Sequence, residues 1–173
     1  MKNKEEKVLK KISLETPIGS MLAIGDENFL YLLEFVERKG LEQQLERLQK
    51  GLGALIVLGT APPLLQIQEE LRFYFARRLK EFKTPLFVMG SLFQKRVWEE
   101  LQKISLGKTA SYLEIAEAIG RPTACRAVAQ ANSRNRLALI IPCHRVINTG
   151  GALGGYAGGL DRKEWLLQHE KSF

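Results

Sequence analysis

Two cysteines, two histidines and no long apolar run mark this 173-residue chain. Cys125, Cys143, His144 and His169 do not form the paired clusters of a tetrahedral structural zinc site, so no metal is expected. Two thiols in a chain of this size are not a disulfide framework either. No apolar stretch approaches the ~20 residues that span a bilayer, so no membrane partner is expected. The start, MKNKEEKVLKK, carries charge without the apolar block of a signal peptide. The expectation is a cytoplasmic, globular, monomeric protein without a cofactor.

Acid is also scarce, and locally absent. The net charge is +7, and no Asp or Glu lies between Glu117 and Asp161, where Arg121, Arg126, Arg134, Arg136 and Arg145 all fall. Residues 1–90 hold 14 Lys/Arg against 12 Asp/Glu; residues 91–173 hold 12 against 7. An acid-free arginine tract suits a polyanion, nucleic acid first, although a solvated basic surface fits the charge alone equally well.

The N-terminal half reads as a small α+β unit over residues 1–85. Lys11–Glu15, Ser20–Ile24 and Phe29–Phe35 are strand candidates separated by turn residues, which predicts an antiparallel meander. Leu41, Leu45 and Leu48 repeat at helical spacing, Ala54–Leu58 is a short β-like run, and Pro62-Pro63 opens a helix with Ile67, Leu71, Phe75 and Leu79 on one stripe. Nothing in this half suggests chemistry. Lys83–Gly90 reads as a connector to a second unit, residues 90–173. There Leu92–Gln102, Tyr112–Ile119 and Thr123–Asn132 are predicted helices, the last two broken at Gly120-Arg121-Pro122, as in a helix-turn-helix. The third is rich in alanine, so its backbone can come close to another surface, either a groove of DNA or a neighbouring helix.

Chemistry concentrates at Leu139–Ile147. An apolar, strand-like run is interrupted by Pro142-Cys143-His144-Arg145 and then resumes. Pro142 predicts a bend, and the cations beside Cys143 predict a thiolate, which makes it the leading nucleophile. Neighbours in a regular strand point to opposite faces, so a Cys143–His144 relay needs that bend or a bridging water. Cys125, among alanines, reads as packing.

The run Pro142-Cys143-His144-Arg145-Val146 resembles the active-site signature of the O6-alkylguanine-DNA alkyltransferases, also called methylated-DNA–protein-cysteine methyltransferases. The likeness continues through Gly154-Gly155-Tyr156-Ala157-Gly158-Gly159 and Lys163-Glu164-Trp165-Leu166-Leu167 to Glu170. Upstream it takes in Gly107-Lys108-Thr109-Ala110-Ser111-Tyr112, Arg126-Ala127-Val128 and Asn135. It is close over about residues 90–170 and loose before them.

The resemblance implies an RNase-H-like α+β domain followed by a catalytic domain with a winged-helix-like helix-turn-helix that enters the DNA minor groove. It implies a target nucleotide flipped from the duplex and an irreversible transfer of its O6-alkyl group to Cys143, one turnover per molecule, with O4-alkylthymine as a second candidate lesion. By similarity, His144 takes the thiol proton through a water, Glu170 orients His144, Tyr112 serves the departing base at N3, and Asn135 organises the turn. Arg145, Gly155, Tyr156, Ala157 and Lys163 are assigned to the base pocket. Ser111, Arg121, Ala124, Arg126, Ala127, Gln130, Ala131 and Arg134 are assigned to DNA, Arg126 filling the gap left by the flipped base. Departures fall at helix starts (Gly90-Ser91-Leu92-Phe93-Gln94 and Ser105-Leu106-Gly107) and at Ala157, where some members carry a serine. Three rivals remain: a non-reactive binder of alkylated bases, against which Cys143 argues; a helix-turn-helix regulator, which has no need of Cys143, His144, Tyr112 and Glu170 together; and a thiol hydrolase, for which no oxyanion signature is present.

Overall fold

The computed structural model describes residues 6–173; the first five, part of the stretch read above as lacking a signal peptide, lie outside the described residues. The N-terminal half forms one four-stranded sheet. β1 (Lys7–Thr16), β2 (Gly19–Gly25) and β3 (Leu30–Phe35) make the expected antiparallel meander, and β4 (Ala54–Leu58) joins β1 in parallel, giving the order β3-β2-β1-β4. β1 is longer than its apolar pattern predicts because it pairs twice, with β4 over its first half and with β2 over its second. At the β2–β3 turn the Asp26 carboxylate accepts the N–H groups of Asn28 and Phe29, each at 2.9 Å.

Helices α1 (Leu41–Leu52) and α2 (Pro62–Phe75) complete this half. α1 ends where Gly53 turns left-handed at φ 58°. α2 stops at Phe75, short of the predicted Leu79, because Ala76 caps it and Arg77 turns to φ 60°; Leu79 still packs against the core from the loop.

β3 positions the rest of the molecule. All six of its residues are buried, although it stands at the end of the sheet. An uncovered edge is a row of unpaired donors and acceptors, and here two later segments cover it. Leu30 N–H donates to Pro85 O at 2.8 Å and Phe87 N–H to Leu30 O at 2.9 Å; Leu33 N–H donates to Arg136 O at 2.8 Å and Ala138 N–H to Leu33 O at 2.9 Å. The segment expected to be a mere connector is therefore sheet edge, and one apolar core runs from Leu33 and Phe35 to Val97, Ile141 and Leu166.

The second half contains α3 (Leu92–Gln102), the short β5 (Ala110–Ser111), α4 (Tyr112–Ala118), α5 (Cys125–Ser133), β6 (Val146–Ile147) parallel to β5, and α6 (Leu160–Glu170). α3 and α4 each begin with a capping box, Ser91 with Gln94 and Ser111 with Glu114, so the departure at residues 90–94 keeps its helix start. Trp98 Nε1–H donates to Ala131 O at 2.9 Å and ties α3 to α5. No helix among the described residues is long and apolar enough to cross a membrane.

Candidate active site

The strand-like run around Cys143 is not a strand. Leu139 turns to φ 70°, and Cys143–Arg145 form one turn of 3-10 helix that leads into β6. Pro142 supplies the bend as expected, and the turn lets consecutive side chains diverge. Cys143 reaches a cavity of about 690 Å³ whose lining includes Tyr112, Arg126, Asn132, Gly155, Tyr156 and Ala157. His144 and Arg145 point the other way, into the protein.

Asn135 fixes this turn. Its Nδ2–H group donates to Ile141 O at 2.8 Å and reaches Cys143 Sγ at 3.3 Å, while its Oδ1 accepts the Leu137 N–H at 2.9 Å. The expected thiolate is not the resting state. Burial pushes the Cys143 thiol up to about 11, against the smaller downward pulls of the Asn135 hydrogen bond and the Lys163 charge. At pH 7 a thiol at that value is ionised in only roughly one molecule in 10⁴. A base is needed.

The base candidate is built behind it. His144 is completely buried, and its Nε2 lies 2.7 Å from Glu170 Oε1. Burial holds the imidazole below its usual range, so it is neutral at pH 7. A carboxylate on Nε2 selects the tautomer with the proton there, which leaves Nδ1 as a lone-pair acceptor. Nδ1 is buried and has no protein partner among the described residues. No hydrogen bond among them joins Cys143 to His144.

Glu170 ends α6 yet is only 2% exposed. Besides His144 it accepts Tyr74 Oη–H at 2.7 Å, Arg145 Nε–H at 2.8 Å and Arg145 Nη2–H at 3.0 Å. Burial alone would push its carboxyl up, but the hydrogen bonds of His144 and Arg145 and the Arg145 charge hold it well below the usual carboxylate range. Arg145 is thus not a wall of the base pocket. Its guanidinium clamps Glu170 and donates to Ile104 O at 2.7 Å.

Opposite Cys143, Tyr112 starts α4 and lies half-buried under the loop at Gly154. Gly154 has φ 69°, and a Cβ there would stand 3.0 Å from the Tyr112 ring, so glycine lets the loop cross the aromatic face. Lys163 lies beneath the loop rather than in the cavity. Fully buried, it donates to Val146 O at 2.5 Å and to Gly155 O at 3.1 Å, and burial lowers its ammonium to about 8.

The residues assigned to DNA divide. Arg121, Arg126, Gln130 and Arg134 are exposed and Ala124 and Ala127 half-buried. Ser111 and Ala131 are buried: the Ser111 hydroxyl accepts the Glu114 N–H as a helix cap, and Ala131 faces the core. Neither is an open DNA contact. Cys125, expected to be mere packing, is half-buried and lines the same cavity as Cys143.

Two further residues escaped the sequence reading. Tyr74 lies on the buried face of α2 beside Leu71, and a buried phenol usually needs a partner. Asn132 lines the cavity from the last turn of α5 with its Oδ1 buried and unpartnered among the described residues.

Comparison with known proteins agrees with this geometry. Residues 92–172 match the family model described as 6-O-methylguanine DNA methyltransferase, DNA binding domain. A methylated-DNA–protein-cysteine methyltransferase of Methanosarcina acetivorans is 42% identical over 91% of this chain and 96% of its own length. The crystal structure of the Mycobacterium tuberculosis O6-methylguanine methyltransferase superposes with a TM-score of 0.81 at 38% identity, covering 95% of this chain and 93% of that one. The structure of Mycobacterium tuberculosis OGT in complex with DNA gives 0.80 at the same identity and coverage. The chain belongs to the methylated-DNA–protein-cysteine methyltransferase family, the DNA alkyltransferases that repair O6-methylguanine.

Proposed function

We propose that this chain repairs duplex DNA by moving the alkyl group of O6-alkylguanine onto its own Cys143, once per molecule. The observation that carries this reading is the buried Cys143 on the wall of a cavity, its thiol pushed up by burial, with a buried imidazole behind it whose Nε2 faces Glu170 and whose Nδ1 has no partner among the described residues.

In the reaction, the Cys143 thiol proton passes through a bridging water to His144 Nδ1, and the imidazolium gains Glu170 as counter-ion. The sulfur attacks the alkyl carbon; an S–C bond forms as the C–O6 bond breaks. The electron pair leaves on guanine, which takes a proton at N3 from the Tyr112 hydroxyl; the proton that the thiol gave to His144 returns through water to Tyr112, so guanine, imidazole and phenol all end neutral. Deprotonating the thiol only at the moment of attack suits a site that disfavours a standing thiolate. The product is a thioether, which no group in the cavity can reverse.

The α4–α5 pair, read as a helix-turn-helix of a winged-helix-like domain, enters the minor groove with the Ala124–Ala127 face close to the backbone. Arg126, exposed at the cavity rim, replaces the flipped nucleotide in the stack; flipping costs a few kcal/mol, least for damaged bases. O4-alkylthymine is the second lesion of matching chemistry. The sheet half stands as the RNase-H-like partner domain, and the protein acts inside the cell as a monomer.

The test is DNA carrying a radiolabelled O6-methyl group, followed by intact-mass measurement. We expect one methyl group per chain, on the peptide holding Cys143, and no label on Cys143→Ala, which still binds duplex. Cys125→Ser should retain most of the transfer. Label on the Cys143→Ala chain, or turnover beyond one equivalent, overturns the reading.

A further inference from the structure

The seam between the two halves holds a second site, separate from the Cys143 cavity. A cleft of about 320 Å³ is lined by Gln44 and Arg47 of α1 together with Gln94, Trp98, Arg134 and Arg136 from the second half. Among the described residues none of Arg47, Arg134 and Arg136 has a carboxylate within ion-pair distance; the nearby Arg38 is already engaged with Glu34. Arg136 is half-buried, and burial together with the charges of Arg47, Arg134 and Arg38 pushes its guanidinium below the ordinary range. The Arg136 carbonyl accepts the Leu33 N–H, so its backbone is pinned to the edge of the sheet. Gln44, 8% exposed, lines the same cleft; its Oε1 has no partner among the described residues and, being an acceptor, gives an anion no hydrogen bond, so the arginines alone supply the donors. Uncompensated like charges gathered in a concave, partly buried place destabilise one another unless an anion joins them.

We infer that this cleft is a phosphate site, and that its occupant is a backbone phosphodiester of the duplex held at the active cavity. The inference rests on the alkyltransferase reading above. α5 connects the two places: it lines the cavity through Arg126, Ala129 and Ser133 and delivers Arg134 to the cleft at its end. Its nine residues span roughly 13 Å, about the axial rise of four phosphates along one strand. Guanidinium forks match phosphate oxygens in pairs. The sheet half thereby supplies Arg47 to the DNA grip, and a bound phosphate bridges the two halves.

The experiment compares the full wild-type chain with Arg47→Gln, an exposed change that leaves the core intact. Binding to an unmodified duplex is measured over a sodium chloride series, and methyl transfer is measured from free O6-methylguanine base. We expect Arg47→Gln to bind duplex about three- to tenfold more weakly near 0.1 M salt, with a salt slope smaller by about one unit, and to react with free base at the wild-type rate. Equal affinity and slope overturn the proposal. A melting temperature raised by inorganic phosphate in wild type but not in the variant, with duplex slopes equal, makes the cleft a free-anion site and also overturns it. Failure of wild type to take methyl from free base or DNA would sink the alkyltransferase reading, while a difference in slope would still stand.

Discussion

Each half of the chain buries one carboxylate beside an arginine, and the two end up on opposite sides of the ordinary carboxylate value. Glu34 on β3 is 3% exposed; Arg38 Nη1 lies 3.2 Å from one of its oxygens, and the other accepts its neighbour Phe35 N–H at 3.1 Å. Burial wins over these partners and raises the carboxyl to about 7. Glu170 on α6 is equally hidden but accepts four hydrogen bonds from Tyr74, His144 and Arg145, and is held far down. Burial acts in the same direction on both, so the number and charge of the donors decide the outcome. Glu170 is a fixed anion on which a base can be mounted; Glu34 changes charge near neutral pH.

Removing the fixed anion should have the largest effect. Glu170→Gln offers His144 a carboxamide that no longer selects one tautomer, and it leaves the Arg145 guanidinium without its anion. Single-turnover methyl transfer should fall by roughly 10²- to 10³-fold, within the range of a lost general base. The pH profile separates a lost base from a damaged fold. In wild type the rate should be level from pH 6.5 to about 9, because neutral His144 is already available and takes the proton. In Glu170→Gln the rate should climb with pH as free thiolate becomes the reacting form. A variant within threefold of wild type, or a wild-type rate that rises tenfold per pH unit, removes Glu170 and His144 from the proton path.

This arrangement was legible in the sequence only in part, for reasons particular residues make plain. Cys143, His144, Tyr112 and Glu170 stand at informative intervals, and the capping boxes Ser91–Gln94 and Ser111–Glu114 are local motifs; local rules reach that far. The charge state of Cys143 was misread because neighbouring cations are visible in sequence whereas burial is not. Arg145 was misplaced because a single 3-10 turn, which no periodicity announces, sends its side chain away from that of Cys143. The seam between β3 and residues 136–138 pairs segments remote in the chain, so the half that showed no chemistry still supplies the phenol that touches Glu170.

That phenol gives the next, smaller effect. Tyr74→Phe removes one of four donors to Glu170 and keeps the ring, which packs edge-on against Phe75 and His169. The carboxylate retains His144 and Arg145, so transfer should slow by only about three- to tenfold and stability should fall by about 1 kcal/mol. Chemical denaturation and single-turnover rates on one preparation would check both figures. A loss as large as that of Glu170→Gln would mean that Tyr74 carries the proton path, and the donor-count account of the two carboxylates would fail.

Glu34→Gln should change transfer least, within about twofold on free base, because Glu34 touches neither Cys143 nor His144 through a hydrogen bond among the described residues. Its signature is in stability. The folded carboxyl holds its proton to about pH 7, against an ordinary value of 4.5. Between those values the folded chain binds more protons than the unfolded one, so this group's contribution falls as pH rises from about 4.5 to 7 and is level beyond. Glu170 contributes with the opposite sign: its lowered value supports the fold above about pH 4.5, and that support is lost only in stronger acid. Glutamine cannot titrate, so the stability of the variant minus that of wild type should climb across pH 4.5 to 7 and then flatten. The slope of this difference is the readout, since its absolute size also includes the altered contact with Arg38. Urea unfolding at pH 5, 6, 7 and 8 measures it. A flat or falling difference would mean that Arg38 fully offsets the burial of Glu34, and that donor count does not distinguish the two carboxylates.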